Sequence, residues 1–174
     1  MSLTSLKRLY GNPSDGRGHL SRAWYDANVI QLVLPYPMRL AWNKAQVVKT
    51  TQVHRRVAPE LEAALRDVWA HARMLMKQKH GYNQTTKFYD KVTLEYLQAN
   101  GLDLFGGVFN YRKIVGGNEL SAHAFAAAID LDPKHNALGK VGKMPGWVVA
   151  IFKRHGAKWG GDFRRKDYMH FEWS

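Results

Sequence analysis

Apolar positions fall into a few short patterns separated by turn formers. Leu61, Leu65, Val68, Ala72 and Leu75 recur at spacings of three and four, drawing one apolar stripe along a helix from about Pro59 to Lys77. Pro59 suits its first turn, Glu60 and Glu62 complement the positive end of its dipole, and Gly81 follows it. A second helix is predicted over 145–155, opened by Pro145, carrying Val148, Val149, Ile151 and Phe152, and stopped by Gly156. Val92, Tyr96 and Leu97 permit a shorter helix within 82–100 that ends at Gly101.

Strand signals lie between these stretches. Residues 28–34 are rich in β-branched and aliphatic side chains and are expected to stop at Pro35. Phe109, Tyr111 and Ile114 alternate imperfectly with Asn110, Arg112 and Lys113 between two Gly-Gly pairs, which predicts a strand with Arg112 on it or at its end. Ile129 and Leu131 suggest a strand carrying Asp130. Trp159 marks another, followed by a tight loop, and 169–173 forms a closing strand. Residues 11–18 are a loop. Helices and short strands in this irregular order predict one α+β domain over residues 1–174, not a parallel doubly wound sheet.

Composition narrows the chemistry. A chain of 174 residues suits a single domain with a sizeable core. Cysteine is absent, so disulfides, thiolate ligands and cysteine nucleophiles are excluded. Any metal site must use His, Asp and Glu. The longest apolar runs, 29–34 and 146–152, are far shorter than the roughly 20 residues of a membrane span. The stretch Met1–Arg8 lacks the apolar core of a secretory signal, so the expected origin is a cytoplasm. A formal charge of +12 favours a polyanionic partner, whether nucleic acid, anionic lipid or a wall polymer, but the basic residues are scattered and charge alone does not choose.

The final third concentrates the chemistry. His123 and Asp130 lie seven residues apart across small and apolar residues, and Asp167, His170 and Glu172 follow. Two imidazoles and several carboxylates suffice for a His/Asp/His zinc site with a free acid nearby; a buried His–Asp pair without metal is the plainer alternative. Seven residues of straight strand span roughly 23 Å and place the two side chains on opposite faces. Two helical turns still separate them by about 10 Å. The chain must therefore turn back between His123 and Asp130 if both grip one ion. Asp132 competes with Asp130 as ligand, but before Pro133 it reads as a turn residue. His135 has no obvious acidic partner. His71 reads as structural, and His19, His54, His80 and His155 as surface or packing residues.

The segment Ser121-x-His123-x-x-Ala126-x-Ala128-x-Asp130 resembles the S-x-H-x-x-G-x-A-x-D signature of the zinc D-alanyl-D-alanine carboxypeptidase family, which includes phage endolysins that act as L-alanyl-D-glutamate peptidases. Asp167-x-x-His170-Phe171-Glu172 resembles the second signature, and its Asp is a feature of the endolysin branch. Phe109–Arg112 ahead of Gly116-Gly117, and Trp159–Asp162, also look like that branch. The resemblance is good over 105–173 and looser over 28–70. Ala126 departs from the signature glycine; a positive φ there would strain alanine.

The resemblance implies a small, mainly antiparallel sheet packed with helices and a zinc site on the sheet, as in the D-alanyl-D-alanine carboxypeptidase and hedgehog-like fold. It implies zinc on His123, Asp130 and His170, with Asp167 as general base and Arg112 steadying the developing oxyanion. Ser121 would bond either substrate or the metal-site loop, Glu172 would orient a ligand, and Trp159 and Tyr168 would line the groove. The implied substrate is the peptide stem of bacterial peptidoglycan, cut at L-alanyl-D-glutamate or, as the rival, at D-alanyl-D-alanine. A related module that keeps the metal without hydrolysis is the non-enzymatic alternative. The expected partners are peptidoglycan and anionic wall or outer-membrane polymers, with no specific nucleic acid. The protein is expected to be a monomer that leaves the host cytoplasm through a holin lesion or arrives with a virion.

Overall fold

The structure, a computed structural model, describes residues 3–174; Met1 and Ser2, part of the stretch read as carrying no signal, lie outside the described residues. Helices α1 (Leu3–Tyr10) and α2 (Arg22–Asn28) precede a long hairpin, β1 (Val29–Leu40) and β2 (Asn43–His54). Helices α3 (Ala58–His80) and α4 (Thr86–Ala99) follow, then β3 (Leu104–Gly107), β4 (Ala128–Leu131) and the single turn α5 (Pro133–Asn136). Helix α6 (Gly146–Arg154), β5 (Lys158–Trp159) and β6 (His170–Glu172) complete the domain. The apolar stripe of α3 became a buried face: Leu61, Ala64, Leu65, Val68 and Ala72 pack toward β1, with α4 and α6 alongside. Phe152 of α6 stacks on Phe171 of β6 at 4.3 Å between ring centroids, joining helix and sheet over the core.

The six strands form one sheet in the order β2-β1-β3-β4-β6-β5. It is mixed: β1 and β3 run parallel and the other four neighbouring pairs antiparallel, so the mainly antiparallel sheet implied by the resemblance fits in part, with one parallel pair added. The parallel pair follows from topology, because α3 and α4 form a crossover between β1–β2 and β3. The buried Asp103 receives the Arg39 guanidinium through Nε and, at 3.0 Å, through Nη2, fixing β3 beside β1.

Three further expectations are corrected. The first strand does not stop at Pro35. It runs to Leu40, because Pro35 and Pro37 fall in an irregular stretch between Val33↔Thr50 and Met38↔Val48, where no ladder donor is required of them. The strand expected around 105–114 is confined to Leu104–Gly107, so Arg112 lies on a loop rather than on a strand or at its end. Gly107 has φ of +107°, a turn in the backbone that ends the ladder. His135 does have an acidic partner: its Nδ1 lies 2.9 and 3.0 Å from the two carboxylate oxygens of Asp132. Asp132 itself is the turn residue expected, at φ of +47° ahead of Pro133, and its side chain is taken up by His135 and Asn136. His71 stacks on Trp147 at 4.5 Å, a packing role. No helix among the described residues is long and apolar enough to cross a membrane.

Candidate metal centre and cleft

Three local features bring distant residues together. Asp130 and His170 stand directly opposite each other in the antiparallel β4–β6 pair, which places both side chains on one face. His123 lies in a 3₁₀ turn, Ala122–Phe125, capped by Ser121, whose Oγ accepts the His123 N–H at 3.3 Å. Ala126 then adopts φ of +52° and ψ of +33°, and this left-handed residue reverses the chain into β4. The predicted turn between His123 and Asp130 is thus built from one 3₁₀ turn and one left-handed alanine. A Cβ on Gly106 of β3 would meet the Asp130 Cβ at 2.7 Å, so only glycine lets the two strands close here.

The three donor atoms nearly form an equilateral triangle. His123 Nε2 is 3.2 Å from His170 Nδ1 and 3.2 Å from Asp130 Oδ1, and His170 Nδ1 is 3.0 Å from the same oxygen. Tetrahedral zinc with ligands at 2.0–2.1 Å separates donor atoms by about 3.3 Å, so the triangle has the size of one zinc face. The opposite ring nitrogens are already engaged: His123 Nδ1 lies 2.8 Å from the carbonyl of Val108, and His170 Nε2 lies 3.1 Å from Glu172 Oε2. Each of those acceptors takes the ring N–H, which turns the other nitrogen's lone pair inward. Two lone pairs and a carboxylate facing one point repel unless a cation joins them. All three residues are buried, and they form the one His/Asp/Glu group of metal-binding geometry among the described residues.

The metal-free electrostatics carry the same message. Burial opposes charge on Asp130, but hydrogen bonds from His123 and His170 outweigh it and hold its carboxyl well below the usual range. Burial likewise opposes charge on His170, yet Asp130 and Glu172 push it up to about 9.

Asp167 sits beside this centre, on the loop between β5 and β6. Its Oδ1 is buried and finds no hydrogen-bond partner among the described residues. Burial and the charge of Asp130 raise its pKa, while His170, His123 and Arg112 pull it down. The loop is held by Gly160, whose carbonyl accepts the Asp167 N–H at 3.0 Å; a Cβ on Gly160 would strike the Asp167 carbonyl oxygen at 2.2 Å. A cavity of about 370 Å³ opens here, and Asp167, His170, Arg112 and Ser121 all line it. Arg112 donates to the Lys113 carbonyl at 3.2 Å and has no carboxylate partner among the described residues.

Trp159 and Tyr168 stand elsewhere. Trp159 Nε1 donates to the Tyr168 carbonyl at 2.9 Å, the two rings meet edge to face, and neither residue lines this cavity. They brace the loop that carries Asp167. Sequence reasoning missed Val108, which contributes only a backbone carbonyl, and Gly106 and Gly160, for which the Gly-Gly pairs were the available signal. It also missed Leu3 and Leu6 of α1, which line the cavity from the far end of the chain.

Residues 115–173 match the family model described as D-alanyl-D-alanine carboxypeptidase. No curated protein and no solved structure matches the chain. The matched stretch contains His123, Asp130, Asp167 and His170, and the two signatures read in the sequence fall inside it. The similarity to the D-alanyl-D-alanine carboxypeptidase family thus covers about a third of the chain, the segment that carries the candidate metal centre.

Proposed function

We propose that the protein is a zinc-dependent peptidoglycan peptidase that cuts the L-alanyl-D-glutamate bond of the wall peptide stem and serves as a phage endolysin. The observation that carries the reading is a buried, unpartnered carboxylate oxygen, Asp167 Oδ1, in a cavity shared with the convergent His123/Asp130/His170 group. When bound there, zinc supplies a Lewis acid for water and for the scissile carbonyl.

Every other part belongs to the chain. Asp167 accepts the attacking water's proton and returns it to the departing amine. Its free oxygen needs no protein bond to be broken first, and burial makes it a stronger base than an exposed aspartate. Arg112 supplies N–H donors toward the oxygen on which negative charge develops. Ser121 holds the His123 turn and faces the cavity, and Glu172 fixes the ring of His170. Among partners, the basic surface suits the anionic wall, which steers the enzyme toward its substrate; a monomer released by a holin lesion or carried by the virion completes the proposal.

The description of the matched family favours a second reading, a D,D-carboxypeptidase that releases terminal D-alanine. Mass spectrometry of digested, purified peptidoglycan separates them: new N-terminal D-glutamate supports the endopeptidase, and free D-alanine the carboxypeptidase. In the same assay Asp167→Ala should keep its zinc and lose roughly 10²–10⁴-fold in kcat. Full turnover in that variant would remove Asp167 as the base, and an inert wild type with zinc bound would leave a binding module.

A further inference from the structure

The cavity beside the metal centre contains a second arginine that the mechanism above does not use. Arg165 lines it from the loop between β5 and β6. Its Nη1 donates to the Val115 carbonyl at 2.7 Å, tying that loop to residues 113–120. A guanidinium has five N–H donors, and no carboxylate among the described residues pairs with this one. Its cavity neighbours include the apolar side chains of Leu3, Ile114, Val115 and Phe163. Glu119 lines the same cavity without pairing to it, and a permanent cation with most of its planar fork uncommitted is suited to a carboxylate. Arg112 lines the same cavity and is assigned to the developing oxyanion above, which leaves Arg165 for another part of the ligand.

The two peptide bonds weighed above share one chemical feature. In L-alanyl-D-glutamate the stem continues through the γ-carboxyl, so the α-carboxylate stays free on the carbon that bears the leaving nitrogen. In D-alanyl-D-alanine the terminal carboxylate occupies the same place. We propose that Arg165 is a specificity-determining residue that binds the α-carboxylate of the D-residue on the leaving-amine side of the scissile bond. The inference rests on the peptidase reading, and it accounts for recognition of either bond by one cation.

The test uses zinc-loaded protein and two probes, γ-D-glutamyl-L-lysine amide with its α-carboxyl free and the same compound α-amidated, titrated by NMR. Wild type should bind the free acid at least about tenfold more tightly than the amide. Arg165→Gln should bind both alike, and Arg165→Lys should keep part of the preference. Both variants should retain wild-type zinc content and Tm, since Arg165 is exposed. A preference undiminished in Arg165→Gln, or absent from wild type, would overturn the inference. Hydrolysis assays on L-alanyl-γ-D-glutamyl-L-lysine amide separate the two claims: acid preference without hydrolysis removes the peptidase reading alone, and hydrolysis without acid preference removes the role of Arg165 alone.

Discussion

Ala126 shows how closely a single residue governs the centre. It is fully buried at φ of +52°, one residue past the turn that carries His123. Left-handed backbone costs an L-residue about 1–2 kcal/mol, but alanine has only a methyl group to accommodate, and a glycine would lose that buried methyl and gain unfolded-state freedom. The terms roughly offset, which explains why the turn accepts alanine where the family signature has glycine. A β-branched side chain has no such balance: Ala126→Val should destabilise by about 2–4 kcal/mol, from backbone strain plus overpacking, seen as a lowered denaturation midpoint. Glu172 acts through His170. Its pKa, raised by burial but lowered more by His170 and Ser174, keeps it ionised as acceptor of the ring N–H. Glu172→Gln should weaken zinc affinity about 10–100-fold in a chelator competition, with fold intact; unchanged affinity would show that the ring needs no such anchor. The three residues of the candidate centre were legible because their types and order are what a His/Asp/His metal site requires. The Val108 carbonyl was not, since any residue has one and only the fold aims it at His123.

Elements were legible in proportion to their local periodicity. Helix α3 announced itself through a long apolar stripe, and β4 and β6 through short apolar strands around Asp130 and His170. The hairpin partner β2 was not visible, because it is an edge strand whose face from Asn43 to Thr50 is largely exposed and polar, leaving no alternation to read. Helix α1 was missed for a different reason, its length: eight residues give barely two turns. Yet α1 walls the cavity, and its end is anchored by long-range bonds: Tyr10 Oη donates to the Trp173 carbonyl at 2.7 Å, and Trp24 Nε1 to the Tyr10 carbonyl at 2.7 Å. His54, at the end of β2, completes this knot, with Nδ1 accepting the Arg56 N–H at 3.1 Å and Nε2 3.4 Å from the Tyr10 carbonyl. Burial lowers the His54 pKa to about 4. Because the unfolded state binds a proton near pH 6.5 and the folded state resists it, this contribution is fully present above 6.5 and lost as pH falls through 4. Between pH 7 and pH 4.5, wild type should lose about 2 kcal/mol more stability in urea than His54→Gln. Parallel pH profiles for the two proteins would contradict this.

At the scale of the molecule, one sheet collects what the chain separates. The order β3-β4-β6-β5 sets the Val108 carbonyl, Asp130, His170 and the Asp167 loop within one region, and the hairpin, α3 and α6 supply the core that holds it rigid. The sequence predicted that the chain must reverse between His123 and Asp130 if both grip one ion, and it offered all three residues of the candidate centre; what it lacked was the parallel β1–β3 crossover, which depends on how α3 and α4 pack and not on any local pattern. The centre's three convergent donor atoms make metal uptake the property on which the account depends. Titration calorimetry of metal-depleted protein with zinc at pH 7 is the most direct measurement. The account predicts one zinc per chain, with proton release revealed by comparing buffers of different ionisation enthalpy, and no comparable uptake by His123→Ala. Absence of zinc binding in the wild type, or undiminished binding in His123→Ala, would contradict it.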